Sequence, residues 1–529
     1  MTKRLEPEHW EKHLTRLQLR EGGFSKELMY KVKERVEMKQ PPIGRKRWLR
    51  WSPALACALV LTVGWTQADR LVEGLSKLSK PREKAALEAM DPNKEKTLKV
   101  SYFHETTFMM QYGKAFTIRY PNVEVKVATG IGSPPYAEIN RPNLEEQMEK
   151  EKPDVLALSL PEYAKLAKEG KLYALDDVIR QEGFDLQNMH SGVVDMLRTE
   201  GGGKLYGLAP DYDQLALFYN KELFDKHGIS YPKNGMSWEE LLQLASRFPS
   251  GPNAKDRVYG LAIRAYSDPY DLVLQAGKAK GLNVLDPSGK QVTVNTPEWQ
   301  KVWTAVLDAA RGGYMYEQPT MKGSFTREDM YKANLFMTGQ AAMTLQSYGF
   351  VKELNEAATK YKMAPIPWEL ATEPTDPSRP NESSSFSVGT IYAVNAASEN
   401  RREAWELVKF INSEEATRKM LTQTVGSYST PARLPSLPTV KGQEKLVEAF
   451  TSLRPSAEPQ ETPVVPTEFY SAFRELAVQL SKDVLNGKKT VSQAIQELQT
   501  SGQQALIQAK NAAQKKPAGA QAPVGSGTP

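Results

Sequence analysis

The chain carries one cysteine, Cys57, and five histidines among 529 residues. A single thiol excludes an internal disulfide and a cysteine-based metal cluster, so the fold rests on apolar burial, which a chain of this length can supply. The histidines, at 9, 13, 104, 190 and 227, form no H-E-x-x-H motif. His9 and His13 could share a helix face, but Trp10 stands where the zincin glutamate would be, which leaves a solvated face. No G-x-S-x-G occurs. The glycines at 201–203 lack P-loop spacing and precede the strand-like run LYGL, so they read as a turn. Asp and Glu are abundant but single out no pair placed for glycoside hydrolysis. No catalytic residue, metal or cofactor is therefore assigned.

Excess charge of one sign is also missing from most of the chain. The formal charge of +6 comes from the first 50 residues, where 14 Lys/Arg face 7 Asp/Glu; the remainder has 55 against 56. A nucleic-acid binder needs its positive charge on the folded domain, so no nucleic-acid partner is expected.

Long apolar runs are scarce too, with one exception. Residues 51–66, WSPALACALVLTVGWT, are uncharged and follow Arg45, Lys46, Arg47 and Arg50 directly. From Trp51 to Gln67, seventeen residues make ~25 Å of helix, the short limit for a hydrocarbon core of ~30 Å. Trp48, Trp51 and Trp65 stand at its ends, where aromatic rings favour the headgroup zone, and the basic flank orients it with the N-terminus inside. The reading is a signal anchor at 47–68 behind a cytoplasmic basic segment at 1–46, in a single-pass cell-membrane protein with its binding domain on the extracellular face. Ala54-Leu55-Ala56-Cys57 also resembles a lipoprotein cleavage box, but most of the apolar run follows the cysteine, which favours an uncleaved anchor.

After a charged helical spacer at 69–95, three strand-like runs appear, LKVSYF at 98–103, VEVKVA at 123–128 and DVLALS at 154–159. Helix-compatible segments separate them, so they read as βαβ units and a parallel sheet. Further on, the helices announce their own ends. Ser237-Trp238-Glu239-Glu240 is a capping box. Thr296-Pro297 opens a helix whose apolar stripe includes Trp299, Val302, Trp303 and Val306 and which Gly312-Gly313 closes. Another spans about 467–485, and Thr490 opens a last one. Trp299, Trp303 and Trp405 fall on apolar stripes and are assigned to the core. Residues 511–529, rich in Pro, Gly and Ala, read as a disordered tail.

Residues 204–248, KLYGLAPDYDQLALFYNKELFDKHGISYPKNGMSWEELLQLASRF, resemble the central signature of the family 1, maltose-binding-like, extracellular solute-binding proteins. Further pieces follow in the family's order: Lys152 to Val155, the segment around Ala164-Lys165-Leu166 and Asp176-Asp177, FMTGQAAM at 336–343, Ala364 to Pro367, which resembles a strand of the family, and YAVNAAS at 392–398 with Ala404, Trp405, Val408, Phe410 and Ile411. The resemblance covers about residues 97–510. It implies an α/β, two-lobe periplasmic-binding-protein-like fold with a hinge. Lobe 1 would comprise 97–211 plus about 383–432, and lobe 2 212–382 plus about 433–510. It further implies a non-enzymatic protein that captures a carbohydrate, an oligosaccharide, between the lobes for an ABC importer. Its partners would be that small-molecule ligand, a permease and the membrane.

The ligand-binding candidates are Asp211, Tyr212 and Asp213 on the lobe crossing; Phe103 and His104 after the first strand; Tyr136 in the loop at 130–137; Ser159 after the third strand; and Tyr348 and Tyr428 beside matching family segments. A Pro-rich stretch at 368–385 departs from the family's short connection. A second reading, a ligand sensor or scaffold that signals through the span to a cytoplasmic partner, uses the same cleft.

Overall fold

The computed structural model describes residues 87–129, 144–249, 257–263, 268–316, 324–422, 429–437, 444–456 and 465–515. The anchor at 47–68, the segment 1–46, residues 69–86 of the spacer, Tyr136 and Tyr428 lie outside the described residues; the described end of the spacer, 87–95, is turn and irregular chain rather than the expected helix. Among the described residues no helix is long and apolar enough to cross a membrane.

The three runs near residue 100 become strands β1 (Lys96–Tyr102), β2 (Val123–Thr129) and β3 (Val155–Leu158). They pair in parallel, with Val100 opposite both Val127 and Val155. Two strands from later in the chain complete this sheet, β4 (Gly207–Leu208) and β13 (Ile391–Val394), in the order β2-β1-β3-β13-β4. β13 runs antiparallel to both neighbours. All four residues of β3 and of β13 are buried, because helices cover the sheet and leave no solvated face to alternate with. Trp405, on the helix Arg401–Ile411, is fully buried in that core.

The second sheet has the order β10 (Trp368–Thr372), β6 (Leu215–Asn220), β9 (Ala341–Ser347), β7 (Tyr259–Ala262), β8 (Met315–Tyr316). Successive residues of β6 feed two different cores, Leu217 and Tyr219 one, Ala216 and Phe218 the other, as the two-residue period of a strand requires. The first of these cores also takes Trp299 and Trp303 from the helix Pro297–Gly312, together with the helices Thr467–Leu485 and Val491–Lys515. The expected caps are present. Ser237 Oγ accepts from Glu240 N–H at 3.1 Å and the Glu240 carboxylate accepts from Ser237 N–H at 2.7 Å. Thr296 Oγ1 accepts from Trp299 N–H at 3.2 Å, and Gly313 closes that helix with φ 70°.

Two boundaries differ from the sequence reading. The last helix continues to Lys515, five residues into the stretch read as tail, since Asn511-Ala512-Ala513-Gln514-Lys515 are compatible with helix and the first proline comes at 517. Residues 364–367 are not a strand; pairing with β6 starts at Trp368, after Pro365 and Pro367, neither of which has an N–H to donate.

Between the two large sheets lies a small one, β12 (Ser387–Val388), β5 (Asp211–Asp213), β14 (Thr430–Pro431), all antiparallel. Beside it β11 (Glu382–Ser383) pairs with β15 (Arg454–Pro455). The chain thus passes from the first sheet to the second through β5 and returns to the first through β12.

Candidate functional site

The geometry of the small sheet follows from the alternation of β5. Tyr212 is fully buried while Asp211 and Asp213 on either side are half-buried, so the two carboxylates share the opposite face from the tyrosine. Tyr212 faces the hinge core. Its ring stacks on Phe386 with centroids 5.0 Å apart and lies 4.5 Å from His190, and its hydroxyl donates to Phe450 O at 2.5 Å. Gln214, next on that face, is also buried and donates to Ala449 O at 3.2 Å.

Asp213 sits opposite Ser387 in the ladder, with the Ser429 hydroxyl close by its carboxylate. Burial pushes its carboxyl up to about 6, more than the neighbouring Ser429 hydroxyl pulls it down. Asp211 accepts from Gly389 N–H through its backbone carbonyl at 3.2 Å, and a Cβ at Gly389 would come within 2.1 Å of its Oδ1. Only glycine leaves that carboxylate in place. Its field reaches the hydroxyls of Tyr102 and Tyr392, both buried. Tyr102 Oη donates to Gln111 Oε1 at 3.0 Å and is hydrogen-bonded to Tyr392. A polar chain, Gln111-Tyr102-Tyr392, therefore stands behind Asp211 at the C-terminal end of β1.

The other candidates fall in three places. Phe103 is half-buried against the Tyr102 ring, with centroids 4.5 Å apart, and His104 beside it is exposed, its Nδ1 3.4 Å from Thr107 Oγ1. These two follow the end of β1, next to Tyr102. Ser159 caps the helix Leu160–Lys168, and both its N–H and its hydroxyl donate to Glu162 Oε2 at 2.9 Å. Tyr348 follows β9; its ring meets Phe450 edge-on at 5.6 Å, and burial holds its hydroxyl up at about 12.

β5 sets Asp211 and Asp213 on one face and turns Tyr212 inward, while Phe103 and His104 follow β1, whose Tyr102 feels the field of Asp211. Sequence reasoning did not single out Gln111, Tyr392 or Ser429. Tyr392 and Ser429 each stood in a family-like segment, YAVNAAS at 392–398 and Tyr428-Ser429-Thr430-Pro431, while Gln111 carried no signal.

A cavity of about 310 Å³ lies elsewhere, lined by residues that include Arg119, Tyr120, Phe184, Glu406, Lys409 and Arg433. Its charges are already satisfied within the fold: Arg119 pairs with Glu415 at 2.9 Å, Tyr120 donates to Glu406 at 2.7 Å, Lys409 pairs with Glu182 at 2.6 Å, and Arg433 donates to Asn412 O and Asp185 O. It is a notch on the flank of the first sheet, and the carboxylates of the crossing do not line it. Among the described residues no group of three or more His, Cys, Asp or Glu could hold a metal ion.

Two α/β units joined through short antiparallel crossings define the class of two-lobe binding proteins. Residues 101–418 match the bacterial extracellular solute-binding protein family, and the chain belongs to it. A Brucella abortus (strain 2308) protein, named as a binding protein, is 27% identical over 278 residues, which are 50% of this chain and 59% of that one. YcjN of Escherichia coli (strain K12), named as an ABC transporter periplasmic-binding protein, is 28% identical over 200 residues, 37% of this chain and 42% of that one. The chain thus spans less than two thirds of the length of the curated relatives it matches. Among solved structures, a family 1 extracellular solute-binding protein from Alicyclobacillus acidocaldarius superposes with TM-score 0.56 at 15% identity, covering 79% of this chain and 100% of that one. The sugar-binding protein MalE of Xanthomonas citri gives 0.53 at 17%, covering 79% and 100%. At such identities the superpositions speak for the fold.

Proposed function

We propose that the chain is an extracellular solute-binding protein, anchored by a single membrane span at 47–68, that captures a carbohydrate between its lobes and delivers it to an ABC permease. Lobe 1 is taken as 97–211 with about 383–432, and lobe 2 as 212–382 with about 433–510. The observation that carries this reading is the pair of half-buried carboxylates, Asp211 and Asp213, on one face of the strand that crosses between the sheets. A sugar presents a rim of hydroxyls that carboxylates can fix and apolar C–H faces on which an aromatic ring can lie. Asp213 and Asp211 supply the first, and Phe103, with Tyr136 and Tyr428, the second. His104 lines the rim, while Tyr212, Tyr348 and Ser159 shape the walls from behind. The MalE neighbour named as sugar-binding supports the same ligand class.

The test is a thermal-shift and calorimetric screen of the full-length protein, in mild detergent, against monosaccharides, disaccharides and maltodextrins, with amino acids as controls. A bound ligand raises the midpoint by mass action. A sugar should do so, and Asp213→Ala should weaken that sugar by ~1–3 kcal/mol, the cost of unmaking buried hydrogen bonds to a charged group. A response to amino acids alone would overturn the ligand class. Unchanged affinity in Asp213→Ala would remove the crossing strand from the site.

A further inference from the structure

After β10 the chain enters the stretch 373–385 before it returns through β12, and the first residue of that stretch, Glu373, is 1% exposed. A carboxylate so deeply buried costs free energy unless donors meet it. Here they come from the return segment. The Ser383 hydroxyl donates to Glu373 Oε1, Ser385 N–H reaches the same oxygen at 3.4 Å, and the Ser385 hydroxyl is also hydrogen-bonded to the carboxylate. Ser385 Oγ in turn accepts from Leu215 N–H at 2.8 Å.

Those partners stand where both crossings leave the small sheet. Leu215 is the first residue of β6, two residues after Asp213, and Ser385 lies two residues before Ser387, the ladder partner of Asp213. One buried carboxylate is therefore linked through a pair of serines to the outgoing and the returning strand.

We propose that Glu373 is a positioning residue for ligand capture, tying the two crossing segments together so that Asp213 is held at the cleft face. This rests on the reading that Asp213 meets the ligand. The charged groups around it are Lys278, whose field reaches it from the helix Pro269–Ala279, and Asp376, Arg379 and Glu382 in its own stretch, with Lys280 beside Asp376. Burial outweighs the serine hydrogen bonds and Lys278 and pushes the Glu373 carboxyl up to about 7. The buried arrangement thus favours the protonated form, and the tie weakens as pH rises through neutrality. An amide at this position would keep an acceptor and lose the proton dependence.

Hydrogen exchange on the ligand-free, full-length protein tests the tie without reference to any ligand. Relative to intrinsic rates, exchange at the Leu215 and Ser385 amides should rise between pH 6 and pH 8 in the wild type and stay level in Glu373→Gln. In Glu373→Leu it should be about 10-fold faster at both, the effect of one or two lost hydrogen bonds. Wild-type exchange in Glu373→Leu overturns the tie. With the sugar that gives the largest thermal shift in the screen above, Glu373→Leu should bind several-fold more weakly and Glu373→Gln should show a flattened pH profile of affinity. Loosened exchange with unchanged affinity overturns the positioning role while leaving the site intact. Unchanged affinity in Asp213→Ala instead marks the failure of the site reading, and the positioning role falls with it.

Discussion

His190 illustrates how residues in the hinge core set conditions for the rest. It caps the helix Ser191–Glu200, is 3% exposed, and lies between Tyr212 at 4.5 Å and Phe386 at 5.5 Å. Burial drives its pKa down to about 4; the Thr451 carbonyl and Asp195 oppose this weakly, and Arg454 adds to it. The native state therefore holds the neutral ring, whereas the unfolded chain protonates near pH 6.5. Stability should be complete above that value and be lost as pH falls towards 4, by an amount on the order of 2–3 kcal/mol for this one group. His190→Phe keeps an aromatic ring in the stack and removes the titration. Its melting temperature should fall less steeply than that of the wild type between pH 6.5 and pH 4.5, and parallel curves would clear His190 of that role. At this scale the sequence was legible where chemistry is local. Asp211, Tyr212 and Asp213 stood out through the family resemblance of the crossing they occupy, and β5 gives them alternating faces. Glu373 and Gln111 did not, because each acquires its environment only when the chain folds back on itself, Gln111 onto Tyr102 and Glu373 onto Ser383 and Ser385.

Among the elements, those bounded by caps were legible to the residue, and those defined by partners were not. The helix Thr467–Leu485 shows a full apolar stripe, and Ser237 and Thr296 mark their helix starts with a hydroxyl. By contrast β5, β12 and β14 have two or three residues each, too few for any period to register, and exist through pairing between segments far apart in sequence. The helix Trp238–Ala245 and β7 show what such contacts demand. A Cβ at Gly260 would come within 2.0 Å of the Ala245 carbonyl oxygen, and backbone cannot rotate out of the way as a side chain can. Gly260→Ala should destabilise the protein by about 1–3 kcal/mol, as overpacking does. Urea titration reads this as a lower midpoint; a midpoint equal to wild type would mean that strand and helix separate freely.

At the level of the whole molecule, the two sheets have separate cores, and the links between them are short strands whose polar groups are hydrogen-bonded across the joint. Tyr212 Oη to Phe450 O and Gln214 to Ala449 O bind the crossing to the helix Glu444–Thr451. Such a joint can rotate about a few backbone torsions while each core stays packed. Small-angle scattering of the full-length protein should therefore show a smaller radius of gyration with the selected sugar than without it. Tyr212→Phe, which deletes the Phe450 hydrogen bond, should alter the free-state profile more than the bound one. Identical profiles in all four samples would argue against hinge motion.

The position of β13 in the first sheet bears on how the chain is made. β13 lies between β3 and β4, yet β4 ends at Leu208 and β13 begins only at Ile391. While the polypeptide is being synthesised or threaded across a bilayer, β3 and β4 must wait, with open backbone edges, for a bridging strand that emerges after the whole second sheet. A nascent product that stops before Ile391 would leave those edges bare and be prone to clumping or degradation, so biogenesis here favours a chain kept unfolded until β13 has arrived.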